Sequence, residues 1–592
     1  MPLESDNVTS TQRPQADTPD ATEQTAEPFF AASVNRRGLM KVVGGGILGA
    51  LAVQEALAPA PLAATPLRKS SPESPRTQTA APTAGVAGVF DVKAFGATGD
   101  GKTIDTQAIN NAIDAASSAG GGTVRFPAGT YASFSIHLKS NVQLYIGPGA
   151  TILAAETPAT PGAGAAYDTA EPNTQWEAFQ DYGHNHFHNS LIWGESVENV
   201  SITGPGLIWG KNLSKGYGPG PKAESAGVGN KSIALKLCRN ITLRDFSILQ
   251  GGHFGILATG VDNLTIDALR IDTNRDGMDI DCCRNVRISN CSVNSPWDDA
   301  IVLKSSYALG SAISCDDVTI TNCFVCAGYQ LGTLLDGTWK PFAPGERTFK
   351  TGRIKCGTES NGGFRNITIS NCVFDNCQGL ALESVDGAML EDISITNITM
   401  RDVSSAPIFL RLGRRMRGPA GAAIGVLRRV NISNVVVSNS ASKLCSMVLG
   451  IPDHVIEDVK FSNIFIQHQG GGTADDAAFV PAEDETVYPE PGRFQRMPAN
   501  GFYIRHAKNV ELRDVEIRAI AADARPTFGL VAVDGAEFFN VRGPENVPVF
   551  ALENVTDFRS FQSKRVPDTE LDSVQQKTLL PGSDASPSTG KM

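Results

Sequence analysis

One short phrase recurs along most of this chain, and a chain that repeats itself at short intervals has few folds open to it. It reads NVSI from Asn199, NITL from Asn240, NLTI from Asn263, NVRISNC from Asn285 and DVTITNC from Asp317. It continues as NITISNC from Asn366, DISITNI from Asp392, RVNISNV from Arg429, DVKFSNI from Asp458 and NVELRDV from Asn509. Apolar side chains alternate within each copy, which is the period of a half-buried strand, and each copy ends in a turn-forming Asn or Asp. A repeat in the low twenties, widened by insertions, cannot bury its apolar face alone. It must stack on its neighbours as a β-solenoid. The 59 glycines, set against 9 tyrosines and 5 tryptophans, suit a chain of many short strands and turns. The expected fold class is therefore all-β, one elongated parallel β-helix over 88–562.

The flanks read differently. Residues 1–32 are polar and expected to be disordered. Over 33–64, Arg36-Arg37-Gly38-Leu39-Met40-Lys41 and the glycine-rich apolar run behind it resemble a twin-arginine export signal. That run ends at Gln54-Glu55, short of the roughly 20 residues a membrane span needs. Export to the periplasm or the exterior, with no membrane anchor in the mature form, follows, and the precursor's partner is the twin-arginine export machinery. Residues 65–87 read as a linker and 563–592 as a disordered tail. Between Phe90 and Tyr131, Asp105 is placed to cap a short helix over Thr106 to Ser117, ended by Gly120-Gly121-Gly122. This opening resembles the cap of right-handed parallel β-helices of the pectin-lyase-like kind, shared by lyases, hydrolases and tailspikes. The net charge of −11 leaves no basic face for nucleic acid. All 11 cysteines lie between Cys238 and Cys445, mostly inside repeat phrases, and are expected as buried, stacked thiols. The lone C-x-x-C at Cys323 and Cys326 has no second pair to complete a zinc site.

Acid concentrates between Asn274 and Lys304, where Asp276, Asp279, Asp281, Asp298 and Asp299 sit among β-branched runs. Asp276 and Asp298 are 22 residues apart, as are Asn263 and Asn285. Residues one repeat apart occupy the same station on successive coils, about 4.8 Å along the stack. Asp276, Asp298 and Asp299 thus gather on one surface, as a site for acid/base chemistry, as turn caps, or as a calcium site. Asp298 and Asp299 cannot face one cleft from a regular strand, so Pro296 marks a bend or bulge there.

The succession NRDGMDID from Asn274, NVRISNCSV from Asn285 and DDAIVLKS from Asp298 resembles glycoside hydrolase family 28, the polygalacturonase-like enzymes. The resemblance implies that Asp298 is the general acid and that Asp276 and Asp299 position and deprotonate water. It implies substrate contact for Lys304, and a role for Asn274 in orienting an aspartate or a sugar hydroxyl. The family's R-I-K phrase stands literally at Arg353-Ile354-Lys355, expected to bind substrate. GTESNGGFRNI from Gly357 instead puts that station at Ala381-Leu382-Glu383 and leaves the family's histidine station empty. Under this second register Arg353 and Lys355 enter the cleft from a neighbouring coil, or the substrate is not plain polygalacturonate. Arg411, Arg414, Arg415 and Arg417 either attract an acidic polymer or lie in a solvated loop. His184, His186 and His188 alternate and so share a strand face, as a cleft wall or a stack rather than a metal site. The insertion over 331–351 walls one end of the cleft and favours exo action.

The expected protein hydrolyses α-galacturonosyl bonds in an acidic, pectin-type polysaccharide, with inversion and with neither cofactor nor metal. Two alternatives are a polysaccharide lyase on the same scaffold and a non-catalytic carbohydrate-binding solenoid.

Overall fold

The computed structural model describes residues 88–582, apart from 158–163, 182, 217–224, 347 and 441–442. The export, linker and N-terminal readings over 1–87 lie outside the described residues. From Val89 to Phe561 every pairing between named strands is parallel and joins one coil to the next, so three columns of strands wind as a right-handed β-helix. One column holds Lys231–Lys236, Phe254–Thr259, Asp276–Asp281, Ile301–Ser305, Ile354–Ser360 and Leu380–Ser384. The repeat phrases form the second column. From Phe364 onward, second and third merge into long bent strands such as Phe364–Asp375.

Sequence accounts for this coil by coil. Inward side chains stack as Ile256, Met278, Ile301 and Ile354, fully buried in one continuous core. The first Asn of the phrases takes a left-handed turn, with φ of 57° at Asn199, 58° at Asn240 and 56° at Asn263. Short polar side chains tolerate that conformation. Their amides also ladder, Asn240 Nδ2 donating to Asn199 Oδ1 and Asn263 Nδ2 to Asn240 Oδ1, both at 2.9 Å. All eleven cysteines are free and buried.

The helix Thr106–Ser118 buries Ile109, Ala112, Ile113 and Ala116 against the first coils. Asp105 does not cap it. Its carboxylate accepts instead from the backbone N–H groups of Thr98 and Gly99 at 2.7 and 3.0 Å, which ties down the preceding loop. The far end also departs from expectation. Thr569–Leu579, read as loose tail, is a strand lying antiparallel on Phe550–Phe561, and it covers the open edge of the last coil. Residues 583–592 lie outside the described residues. No described helix is long and apolar enough to cross a membrane.

Candidate active site

The strand Asp276–Asp281 is buried along its whole length: Met278 and Ile280 point into the core, and Asp279 points out of the solenoid beneath covering loops. The next strand pairs one residue later than the 22-residue step. Met278 faces Ile301 and Asp279 faces Val302, so Asp276 comes level with Asp299, and the Gly277 N–H donates to the Asp299 carbonyl at 2.9 Å. The extra residue is taken up in a bend over Pro296, Trp297 and Asp298. That bend resolves the facing problem, and oxygens of Asp276, Asp298 and Asp299 all lie within 4.8 Å of one another.

The three carboxyls sit in unlike surroundings. Asp276 is buried, and burial together with the neighbouring Asp279 and Asp298 pushes its carboxyl well above the usual range. Asp299 is as deeply buried, but Lys355 and Arg353 outweigh the burial and hold it below the usual range. Arg353 Nε donates to Asp299 Oδ1 at 2.8 Å, and Lys355 Nζ lies 3.5 Å from Oδ2. Asp298 is the most open, its side chain 26% exposed, and Arg275 donates to its Oδ2 through Nε at 3.0 Å and Nη2 at 2.6 Å. Asn274 is buried beside them, and its Oδ1 accepts no hydrogen bond.

Arg353 and Lys355 stand on the coil directly after Asp299: Lys355 pairs with Val302, and the Arg353 carbonyl accepts from Ala300 N at 3.0 Å. Ala381–Glu383 lies one coil further, paired to Lys355 through Ala381. Both candidate R-I-K stations therefore border the site, with Glu383 where the second register calls for lysine. Glu383 Oε2 is 3.4 Å from Lys355 Nζ, and burial raises its carboxyl to about 7 against the pull of Lys355 and Arg353.

Lys304 does not reach the opening. Its ammonium lies buried, 3.0 Å from Glu359 and 3.6 Å from Asp279, and it is held charged despite that burial. The histidine alternation is not a strand either, since 183–190 runs in turns and bends. His184 Nδ1 lies 2.8 Å from Glu359 and its Nε2 3.7 Å from Asp279. His186 turns to Glu177, and His188 to Glu195 and the Trp193 ring. Burial raises Asp279 to about 7, against Lys304 and His184. Arg411, Arg415 and Arg417 are neither a free attractive patch nor a solvated loop, whereas Arg414 is half exposed. Arg411 donates to the carbonyls of Glu483 and Asp484, Arg414 pairs with Glu485, Arg415 with Asp386, and Arg417 with Asp181 and Glu359. The 331–351 insertion lies beside the Asp298 bend: Phe342 packs edge-on to Trp297, and Gly352 N donates to the Asp298 carbonyl at 2.8 Å.

Sequence reading missed two residues altogether. Tyr488 and Glu490 arrive from a loop 130 or more positions away, Glu490 accepting from Arg353 Nη2 at 2.6 Å and Tyr488 hydroxyl from Thr358 at 2.9 Å. Nothing in their local sequence marks them. Glu359 was visible in GTES but carried no pattern of its own. Among the described residues, three groups are close enough to hold a cation: Glu171, His188 and Glu195; Asp181, His184 and Glu359; and Asp276, Asp298 and Asp299. In each, Lys236, Arg417 or Arg353 already supplies positive charge to a carboxylate.

The cluster lies on the flank of a right-handed parallel β-helix. Residues 89–213 match the model described as rhamnogalacturonase A/epimerase, pectate lyase-like, and 168–332 that of glycosyl hydrolases family 28. A probable polygalacturonase of Vitis vinifera is 22% identical over 402 residues, covering 63% of this chain and 73% of that one. The family 28 exopolygalacturonase of Yersinia enterocolitica superposes with a TM-score of 0.53 at 18% identity, covering 76% of this chain and 78% of its own. A hyperthermoactive exopolygalacturonase of Thermotoga maritima gives 0.50 at 18%, covering 73% and 91%. The chain is thus similar to glycosyl hydrolases family 28 over residues 168–332.

Proposed function

We propose that this protein is an exported glycoside hydrolase that cleaves α-galacturonosyl bonds in a pectin-type polysaccharide by general acid/base catalysis. The observation that carries this reading is the geometry of a single cluster: oxygens of Asp276, Asp298 and Asp299 lie within 4.8 Å of one another, with Asp299 held by Arg353 and Lys355 and Asp298 open to solvent. Burial and like charge keep a proton on the Asp276 side, while Lys355 and Arg353 keep Asp299 anionic. Protons in so tight a group belong to the cluster rather than to one residue. Asp298, the carboxyl that solvent reaches, passes the proton to the glycosidic oxygen, and Asp299 takes a proton from the attacking water, whose oxygen bonds the anomeric carbon. Asp276 lies within reach of both and helps Asp299 position the water. Exo action is supported by two segments that flank the opening, the 331–351 insertion and the loop bearing Tyr488 and Glu490.

The test is reducing-end release from polygalacturonate and rhamnogalacturonan by wild type and Asp298→Asn. Activity in the variant should fall by about 10²- to 10⁴-fold, the usual weight of a positioned acid. Products should be saturated, and the shortest should appear first. Unchanged release removes Asp298 from its role, unsaturated products favour a lyase, and binding without release by either protein favours the carbohydrate-binding solenoid.

The resemblance implies inversion, with water held by Asp299 and Asp276. A second reading is retention, which carboxyl pairs roughly 5 Å apart carry out; the nearest oxygens of this cluster lie within 4.8 Å of one another. Proton NMR of the first-formed product decides between them: the β anomer from an α-linked substrate means inversion, the α anomer retention through Asp299 as nucleophile.

A further inference from the structure

The bend over Pro296, Trp297 and Asp298 is pinned on both sides of its tryptophan. Lys350 N donates to the Pro296 carbonyl at 3.0 Å, and Gly352 N and Ser295 Oγ donate to the Asp298 carbonyl at 2.8 and 2.9 Å. Fixed there, Trp297 stands outside the stacked core and is half-buried, with Phe342 of the 331–351 insertion edge-on to it at 5.6 Å between ring centres. Among the described residues no other ring and no cation packs on the indole, and its Nε1–H meets no acceptor. The indole N–H groups of Trp176, Trp193 and Trp209 each donate to a protein oxygen. A large flat side chain with a spare donor is thus held beside Asp298, the carboxyl of the cluster that solvent reaches.

The order of side chains along the bend decides which part of a substrate meets it. In inversion and in retention alike, the acid protonates the leaving oxygen while the attack on the anomeric carbon comes from the opposite side. With Asp298 as the acid and Asp299 on the attacking side, the leaving sugar lies on the Asp298 side of the scissile bond. Asp299 leads on into the strand Ile301–Ser305 and is held by Arg353 and Lys355, whereas Trp297 precedes the acid. The apolar C–H face of a sugar packs well on an aromatic face, and an indole has few torsions to fix when it does so. The spare Nε1–H suits a hydroxyl at the edge of the same ring. Arg275 orients the Asp298 carboxylate through Nε and Nη2, so the acid does not depend on the indole for its position.

We propose that Trp297, buttressed by Phe342, is the platform on which the leaving-group sugar rests. This depends on the α-galacturonosyl hydrolase reading above and adds a positioning residue to it. The test compares kcat/KM of the full chain on two substrates. One is whichever of the galacturonan and rhamnogalacturonan oligosaccharides wild type cuts faster; the other is α-galacturonosyl fluoride, whose leaving group has no ring to stack. Trp297→Ala should lose about tenfold to a hundredfold on the oligosaccharide, the usual cost of truncating an aromatic anchor, and far less on the fluoride. Trp297→Phe, which keeps a flat face, should recover most of that loss. Equal losses on both substrates would mean that Trp297 shapes the carboxyls themselves, and a loss on neither that no sugar rests on it. Either result overturns the proposal and leaves the hydrolase reading standing. A wild type that cuts neither substrate overturns the α-galacturonosyl reading, and this proposal with it. Trp297→Leu, which keeps apolar volume without a flat face, replaces a Trp297→Ala that does not fold: it should show the same unequal loss, and equal losses overturn the proposal.

Discussion

Glu383 shows how a single side chain can tie stability to pH. It is fully buried, its two carboxylate oxygens accept no hydrogen bond, and its carboxyl is raised from 4.5 to about 7 by burial. A folded-state pKa above the unfolded one means that the folded chain holds a proton the unfolded chain has released. Stability from this group is therefore full at and below about pH 4 and is lost as pH rises towards about 7. Asp279, raised to about 7 for the same reason, adds in the same direction. Asp299, held low, acts in the opposite sense and favours folding above the ordinary carboxylate range. In Glu383→Gln, which mimics the protonated form, the melting temperature should fall less between pH 5 and pH 8 than in wild type. Parallel melting curves for the two proteins across that range would show that Glu383 does not titrate there.

At the scale of the element, the repeat phrase does two jobs. Its alternating apolar residues fill the core, and its leading Asn turns the chain and bonds the Asn of the coil before. Asn240→Ala loses both ladder bonds and puts a Cβ residue without a polar side chain at φ 58°, so it should cost about 1–3 kcal/mol. Asn240→Gly keeps the turn and loses only the ladder, so its cost should be the smaller of the two. Urea midpoints of the pair separate the contributions: equal losses would mean that the turn conformation carries no strain. The phrase was legible because period-two alternation and turn-forming Asn are local properties. The histidine alternation at 184–188 was misread because the same period also arises in turns, where no strand neighbour enforces a shared face.

At the scale of the molecule, a stack of coils leaves an edge at each end, and both are covered. The helix Thr106–Ser118 packs over the first coils, and the antiparallel strand Thr569–Leu579 pairs along the last. Removing 563–592 should expose the Phe550–Phe561 edge and give association that rises with protein concentration, read by light scattering. A truncated chain that stays monomeric at high concentration would deny that strand its covering role.

The sequence by itself determined the repeat, and with it the fold and the gathering of Asp276, Asp298 and Asp299, because a solenoid converts sequence period directly into spatial proximity. Even there the period erred by one residue, since the bend at Pro296–Asp298 absorbs an extra position that only the pairing register reveals. Tertiary structure alone decided what surrounds the cluster. Tyr488 and Glu490 reach it across more than a hundred residues, Glu383 faces Lys355 from the adjoining coil, and Lys304 turns inward to Glu359. Tyr488 and Glu490 come from a loop outside the repeat, and Glu359 and Glu383 from strands of later coils, so these contacts depend on where the chain returns in space. Charge pairing and burial, which set the protonation of each carboxyl, are properties of that return and have no period for a sequence to display.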